Sequence, residues 1–542
     1  VSAWGGYSTS REDLSYLEVA GTKEQDGDVS LENPVPAPSD ARALRRTGAL
    51  ATAAALAFLW VASVWEAVSF APAALAGALL RAAPGGVATF FIETLGHWAR
   101  PLLVGGVLVL AMALGAEILV RTAAHGTPRP QIAASTLGLV AAVASLIGTS
   151  PGADAAPTLL AVAGAALLYA FVVRSSTPTQ YVSDAEVGQS GRREFLRVSS
   201  GATAGLVIGG AAAGWLLRRL GGPDTDVALV AASEPAVVPV RDDFPDIPGL
   251  TPEITSADDH YVVDINLIPP KVEAEGWSLD VRGEVDHPAK YTFASLQSSF
   301  DVVEEFAVLT CISNEVNGQL IGHSRWGGVR LSDVLGAAGP RDAAMDVVFY
   351  GADGYSDSIP LEVAMHPTVI LAVSQNGKPL QQAHGFPCRV RVPAIYGMKN
   401  VKWLEAIEIV PTDYQGYWMK RGWSDVAIID TESRIDVAGD SGRASVGQET
   451  WIAGIAWAGI RGIDKVEVSV DGGTTWAEAM LRDPISPISW RHWAYRWRPE
   501  RAGRTMVQCR ATDGDGRTQV MERAAPHPDG ATGYPMKLVE VA

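Results

Sequence analysis

Five apolar runs follow one another between residues 49 and 217, and they point to membrane spans beside one or more globular parts. They are "ALATAAALAFLWVASVWEAVSF" (49–70), "PLLVGGVLVLAMALGAEILV" (101–120), "ASTLGLVAAVASLIG" (134–148), "APTLLAVAGAALLYAFVV" (156–173) and "GATAGLVIGGAAAGWLL" (201–217). Each approaches the roughly 20 apolar residues a helix needs to cross the hydrocarbon core. Gly and Ala dominate them, which suits close helix packing in lipid. The stretch 71–98 is apolar too, but Arg81, Pro84 and Glu93 interrupt it, so it reads as a loop with an interfacial helix. The expectation is a region of about five transmembrane helices over residues 45–220.

Loop charges orient that region. Arg45 and Arg46 precede the first run, Arg121 and Arg129 follow the second, and Arg174, Arg192, Arg193 and Arg197 follow the fourth. "TSPGADAAP", between the third and fourth, has no Lys or Arg. Arg81 and Arg100, after the first run, go against this bias. The N-terminus is expected inside, and everything after about residue 220 outside. "RREFLR" (192–197) precedes the last run. It resembles a twin-arginine export signal, here internal, of the kind that carries proteins already folded around a cofactor. A positive-inside anchor explains the same arginines.

The remaining chain divides by pattern. Residues 1–44 are polar and acidic and read as a disordered tail. Residues 221–254 are rich in Pro and Asp and read as a linker. From 255 to 430, strand-like runs (277–285, 344–351, 388–393) alternate with short helical pieces such as 331–339, an α+β pattern. From 431 to 542 short alternating strands separated by Gly/Asp turns predict an immunoglobulin-like β-sandwich. The net charge of -17 argues against nucleic acid as a partner. The three cysteines are far apart and form no disulfide framework, CxxC or Cys/His cluster.

One of them, Cys311, stands in "VLTCISNEVNGQLIG", where a strand-like run meets Asn, Ser and Gly. A lone thiolate suits a metal whose other ligands come with a cofactor, since zinc wants three or four protein ligands. It also suits a nucleophile with a nearby His, or a buried free thiol. Cys388 and Cys509 lie in strand-like runs and read as core thiols.

The stretch 327–404, with "NGKPLQQAHGFPCRVRVP" and "GMKNVKWL" as its most specific parts and "TCISNE" upstream, resembles the molybdopterin-binding domain of the sulfite oxidase family. "AWAGIRGIDKVEVSVDGGTTWAEA" (456–479) resembles that family's C-terminal dimerisation domain. The resemblance covers about 255–542 and is to a membrane-anchored bacterial type. It implies that Cys311 is the only protein ligand of molybdenum, with the pterin dithiolene and oxo groups supplying the rest. It implies that His384 and Arg389 contact the pterin and that Asn400, Val401 and Lys402 wrap its phosphate end. Asp353 would hold a pterin edge, and Tyr261, Asp264 and Asn266 would form a further cofactor loop. Physics points the same way: a phosphate needs cations and backbone N–H donors, which Arg389, Lys402 and the Gly397 loop offer. Arg391 and Lys399 read as solvated or packing residues, and Trp403 and Trp457 as core aromatics.

The sequence departs from the family near the metal. Where sulfite oxidases carry an arginine pair after the cysteine, this chain has "ISNEV", with Asn314 and Glu315. A family tyrosine falls at Trp423. Sulfite would meet Glu315 unless Arg325 or Arg421 substitutes, so an uncharged sulfoxide or N-oxide is an alternative substrate. His97 and His125 fall on opposite membrane sides, so no haem is expected in the spans, and electrons would pass to or from a separate quinone, haem or cytochrome partner. The expectations are a membrane enzyme with its catalytic domain outside, a homodimer as the resemblance implies; a related oxide reductase; or a non-catalytic surface binding protein.

Overall fold

The computed structural model describes residues 38–63, 70–83, 87, 95, 99–123, 130–148, 155–176, 227–233, 235–239, 244–265 and 270–542. The fifth apolar run, the arginine motif at 192–197, His97, His125 and Asn266 lie outside the described residues.

The N-terminal region is helical, over Pro38–Ala62, Ala71–Ala82, Ala99–Ala123, Pro130–Gly148 and Ala155–Ser176. The first helix starts within the stretch expected to be a disordered tail. Pro38 suits a first helical turn, and the Ala, Leu and Arg residues after it favour helix. Small residues let the helices touch: a side chain on Gly48 would come within 2.7 Å of the Gly115 carbonyl. The Tyr169 hydroxyl donates to that same carbonyl at 3.2 Å. Two helical segments, Leu102–Thr122 and Pro157–Arg174, are long and apolar enough to cross a membrane, and Ile132–Ser145 is apolar but shorter. Their outward positions carry Leu110, Leu139, Leu160, Leu167 and Phe171, all more than half exposed among the described residues.

The α+β unit holds two sheets. The first orders its strands Ala289–Thr292, Ser278–Gly283, Leu404–Val410, Asp346–Gly351, Ser356–Pro360, with Ser278–Gly283 parallel to Leu404–Val410. The second orders Val302–Thr310, Ile321–Arg330, Ile370–Gln375 and Lys378–Pro379, and Arg389–Arg391 pairs with Ile370–Gln375. Val302–Thr310 is buried on both faces by its two-residue period: Val302 and Val308 enter one apolar cluster, Val303, Ala307 and Leu309 another. This strand delivers Cys311 into the interior.

The C-terminal part is two sheets over one core. Glu432–Ala438, Thr450–Trp457, Arg491–Trp497 and Met480–Leu481 form one, and Arg443–Ala444, Met536–Val541, Gly503–Asp513, Ile463–Ser469 and Ala477–Glu478 the other. Ile452, Trp493, Val466, Val507 and Cys509 interdigitate between them. The sandwich is fastened to the α+β unit. Trp457 and Trp490 belong to that unit's core, and the Ser486 hydroxyl donates to the Phe306 carbonyl at 2.5 Å. The linker does not hang free: Ser233 N donates to Val302 O at 2.9 Å, and Thr251 N to the Asp436 carboxylate at 3.2 Å.

Candidate active site

The loop after Val302–Thr310 explains the polar residues around Cys311. Cys311 N donates to Leu320 O at 2.9 Å, and Asn314 N donates back to Cys311 O at 3.0 Å. The buried Asn314 side chain accepts from Leu320 N at 2.8 Å, closing the loop. A side chain on Gly318 would come within 2.5 Å of that Asn314 oxygen, so glycine is required there. Asn317, at a positive φ of 67°, accepts from Ile435 N of the sandwich at 2.8 Å. Asn, Ser and Gly thus replace a ladder that stops at Thr310 and hold Cys311 still.

Cys311 lies in a cleft of about 730 Å³, counting its open mouth. The cleft is also lined by Tyr261, Asp264, Asp353, His384, Arg389, Asn400, Val401, Lys402 and Trp423, so one concavity gathers all but two of the sequence-derived candidates. Asn266 lies outside the described residues. Arg325 is absent from the lining and pairs instead with Glu304 at 3.4 Å. Its strand partner Phe306 puts Glu304 diagonally across from it, within reach of a long side chain. Arg421 likewise turns away, donating to Tyr417 O at 2.7 Å with its guanidinium 3.7 Å from the centre of the Tyr417 ring. Glu315 is exposed and not part of the cleft.

One end of the cleft is cationic. Arg389, nearly fully buried, donates to His384 O at 3.0 Å and to Asn400 O at 3.1 Å. Its Nε has no hydrogen-bond partner among the described residues. Burial draws its pKa down to about 10, which still leaves it a cation at neutral pH. Lys402 pairs with Asp264 and donates to Ala383 O at 3.0 Å. His384 donates from Nε2 to Ala257 O at 2.7 Å. Burial lowers its pKa to about 4, so the ring is neutral. Asn400 spends its side-chain oxygen on Val392 N at 2.8 Å. Asp353 accepts from Tyr355 N at 3.0 Å, and burial raises its carboxyl to about 6. Gly397 leaves the floor open, since a side chain there would approach the Tyr261 hydroxyl within 2.6 Å.

The other end is aromatic. Trp418 and Trp423 stack at 3.9 Å, and the His527 ring stacks on Trp423 at 4.2 Å. His527 Nε2 lies 3.0 Å from the Ser313 hydroxyl, so the C-terminal sandwich contributes to this wall. Burial pushes the Cys311 thiol up, against the pull of Ser313 N–H and O–H. A thiol held protonated is a poor nucleophile by itself, but a metal displaces its proton on binding.

Sequence reading missed Tyr355, Trp418, Ser313 and His527. Ser313 stands inside a quoted motif and Tyr355 within the stretch 327–404, whereas nothing local marks His527. Arg391 and Lys399 are fully or almost fully buried rather than solvated. Arg391 donates to Val308 O, and Lys399 to Asp425 at 2.8 Å. Cys388, Cys509, Trp403 and Trp457 are buried, as expected of core residues.

A buried thiol and a buried guanidinium without a carboxylate ion pair, lining one cleft, suit an enzyme holding an anionic organic cofactor whose metal takes one protein sulfur. Residues 266–418 match the family model "Oxidoreductase molybdopterin binding domain", and residues 426–524 match "Mo-co oxidoreductase dimerisation domain". Mitochondrial sulfite oxidase of Mus musculus is 36% identical over 226 residues, 36% of this chain and 41% of that protein. Sulfite oxidase of Gallus gallus is 32% identical, covering 46% of this chain and 64% of that protein. The NAD(P)H nitrate reductase of Hordeum vulgare is 30% identical, covering 45% and 33%. The chain therefore spans about two-fifths of the length of the mouse relative. Residues 266–418 and 426–524 are thus domains of the molybdopterin-dependent oxidoreductases to which sulfite oxidase belongs, and the cofactor they indicate is the molybdenum cofactor.

Proposed function

We propose that this chain is a membrane-anchored molybdenum oxidoreductase that transfers an oxygen atom to or from a small substrate on the outer face of a bacterial membrane. The observation that carries the reading is that Cys311 and Arg389 line one cleft. When bound, the cofactor supplies the two-electron oxygen-atom chemistry. Cys311 would hold the metal. His384, Arg389, Asp353, Tyr261 and Asp264 would hold the pterin, and Asn400, Val401 and Lys402 its phosphate end. The buried cation of Arg389, with one N–H unspent, offsets phosphate charge where solvent is excluded. About five spans, the last following the arginine motif, would anchor the enzyme. A separate quinone, haem or cytochrome carrier would exchange electrons, and the sandwich, of immunoglobulin-like topology, would pair two copies.

A second reading, reduction of methionine sulfoxide or another S- or N-oxide, is favoured by the thiol end itself. Trp418, Trp423, Met398 and Ile312 line it, and the cations lining the cleft, Arg389 and Lys402, belong to the cofactor end. A sulfite dianion gains little from aromatic faces, whereas a neutral oxide loses nothing there. The test is the full chain, purified in detergent from a host that makes the cofactor. About one molybdenum per chain by mass spectrometry is expected, with turnover of neutral oxides exceeding that of sulfite. A metal-free chain from a host that loads a control enzyme overturns both readings in favour of a binding protein, and preferred turnover of sulfite overturns the second.

A further inference from the structure

Oxygen-atom transfer coupled to water moves protons as well as electrons. Oxidation takes oxygen from water and releases two protons and two electrons, the electrons passing to the carrier. Reduction of an oxide consumes the same and releases water. Those protons pass between the cleft and solvent, and a continuous chain of ionisable groups leads away from this cleft. Tyr355 lines the cleft with Cys311. Tyr355 immediately precedes the strand Ser356–Pro360, which carries Asp357. The Tyr355 hydroxyl donates to Asp357 Oδ2 at 2.8 Å and also lies 2.9 Å from Met398 O. Asp357 Oδ1 lies 3.1 Å from Lys399 Nζ, which donates to Asp425 Oδ1 at 2.8 Å. Asp357 and Lys399 are almost fully buried, while the Asp425 side chain is 40% exposed.

We propose that Tyr355, Asp357, Lys399 and Asp425 form a proton relay between the cleft and solvent. The inference rests on the oxidoreductase reading above but holds for either direction of reaction. Outward, the Tyr355 oxygen accepts a proton from the cleft as its own passes to Asp357. Lys399 gives a proton to Asp425 and takes the one on Asp357, and Asp425 releases to water. Inward, each transfer reverses. Burial holds the Asp357 carboxyl above its ordinary range, against the pull of Lys399, which brings it closer to exchange at neutral pH. Gly416 packs over Asp357: a side chain there would come within 2.9 Å of its carboxylate, so the middle of the chain is sealed and only its ends open. The neighbouring Asp346 is tied up by the Ser358 hydroxyl at 3.0 Å and Tyr414 N at 2.9 Å, outside the path. A purely structural ion pair would need neither Tyr355 at the cleft nor Asp425 at the surface.

The experiment is steady-state turnover of the molybdenum-loaded full chain and of Asp425→Asn, Asp425→Glu and Asp357→Asn. Ferricyanide serves as acceptor or reduced viologen as donor, in light and heavy water, with molybdenum content and melting temperature recorded for each. Asp425→Asn is expected to lower kcat about tenfold with KM unchanged, to raise the solvent isotope effect, and to recover when imidazole or formate is added as a diffusing proton carrier. Asp425→Glu is expected to retain turnover, and Asp357→Asn to be slow without rescue because no small carrier reaches it. Wild-type kcat and isotope effect in fully loaded Asp425→Asn and Asp357→Asn overturn the relay and leave the oxidoreductase reading standing. A slow Asp425→Asn with an unchanged isotope effect and no rescue also overturns it, in favour of a structural ion pair. A wild-type chain that binds no molybdenum or turns over no substrate overturns both.

Discussion

The two ends of the cleft are built by different means. The cationic end comes from one short stretch, His384 to Lys402, folded so that Arg389 reaches the carbonyls of both His384 and Asn400. The thiol end is assembled from Cys311 and Ser313, Trp418 and Trp423, and His527, the last reaching Ser313 across 214 positions. Its atoms meet through ring stacking and one hydrogen bond between units. The first design would fix a cofactor by buried charge, which tolerates little change. The second can change the substrate by exchanging rings while the cofactor end stays intact.

Breaking the thiol end at its metal ligand should have the largest effect. Cys311→Ser is expected to cut turnover by more than about 10³-fold with the melting temperature kept, because one buried atom is exchanged and the Ser313 and Leu320 contacts remain. Wild-type turnover would remove Cys311 from the chemistry. Breaking the cationic end comes next. Arg389→Met should leave two buried carbonyls without this donor, costing about 1–3 kcal/mol each, and should weaken cofactor retention about 10–100-fold. Molybdenum content after gel filtration and the unfolding midpoint in urea measure the two effects. Full loading in that variant would mean the buried guanidinium serves the fold alone.

A milder change sharpens the contrast. Trp423→Ala removes the ring between Trp418 and His527 and should raise KM about tenfold, from about 0.5–1.5 kcal/mol for each ring pair lost. Molybdenum content should not change, and a fall in it would show that the two ends are not independent. The smallest effect concerns His384. Its folded pKa of about 4 lies below the ordinary 6.5, so the unfolded chain takes up a proton first as pH falls. That costs nothing above about pH 6.5 and grows through the window down to about pH 4, by at most about 1.4 kcal/mol per unit. His384→Gln, neutral throughout and able to donate to Ala257 O, should therefore gain stability relative to wild type between about pH 7 and about pH 5. A constant difference in melting temperature across that range would place the ring in water.

How much of this was legible follows from where each contact lies along the chain. "HGFPCR" and "NVKW" are readable because their partners are neighbours in sequence, and Cys311 is readable because its loop chemistry is local. Arg325 misled because its alternation with buried Trp326 says only that it faces the other way, not what stands there. Lys399 read only as a solvated or packing residue, and Asp357 and Asp425 closing on it make its burial tolerable. Trp418, His527 and the course of the linker carried no local sign.

The sequence by itself pointed to apolar helices, an α+β unit and a β-rich C-terminal part, and it marked a stretch that lies within the match to the molybdopterin-binding family model. Hydrophobic periodicity and short-range hydrogen-bonding chemistry are properties of neighbouring residues. Only the tertiary structure decided which rings face the thiol, which cations stay unpaired and where a buried carboxylate meets the surface. Those are distances between residues as much as 214 positions apart, set by how two sheets and a sandwich pack. No pattern in the chain encodes a distance until the core has closed around it.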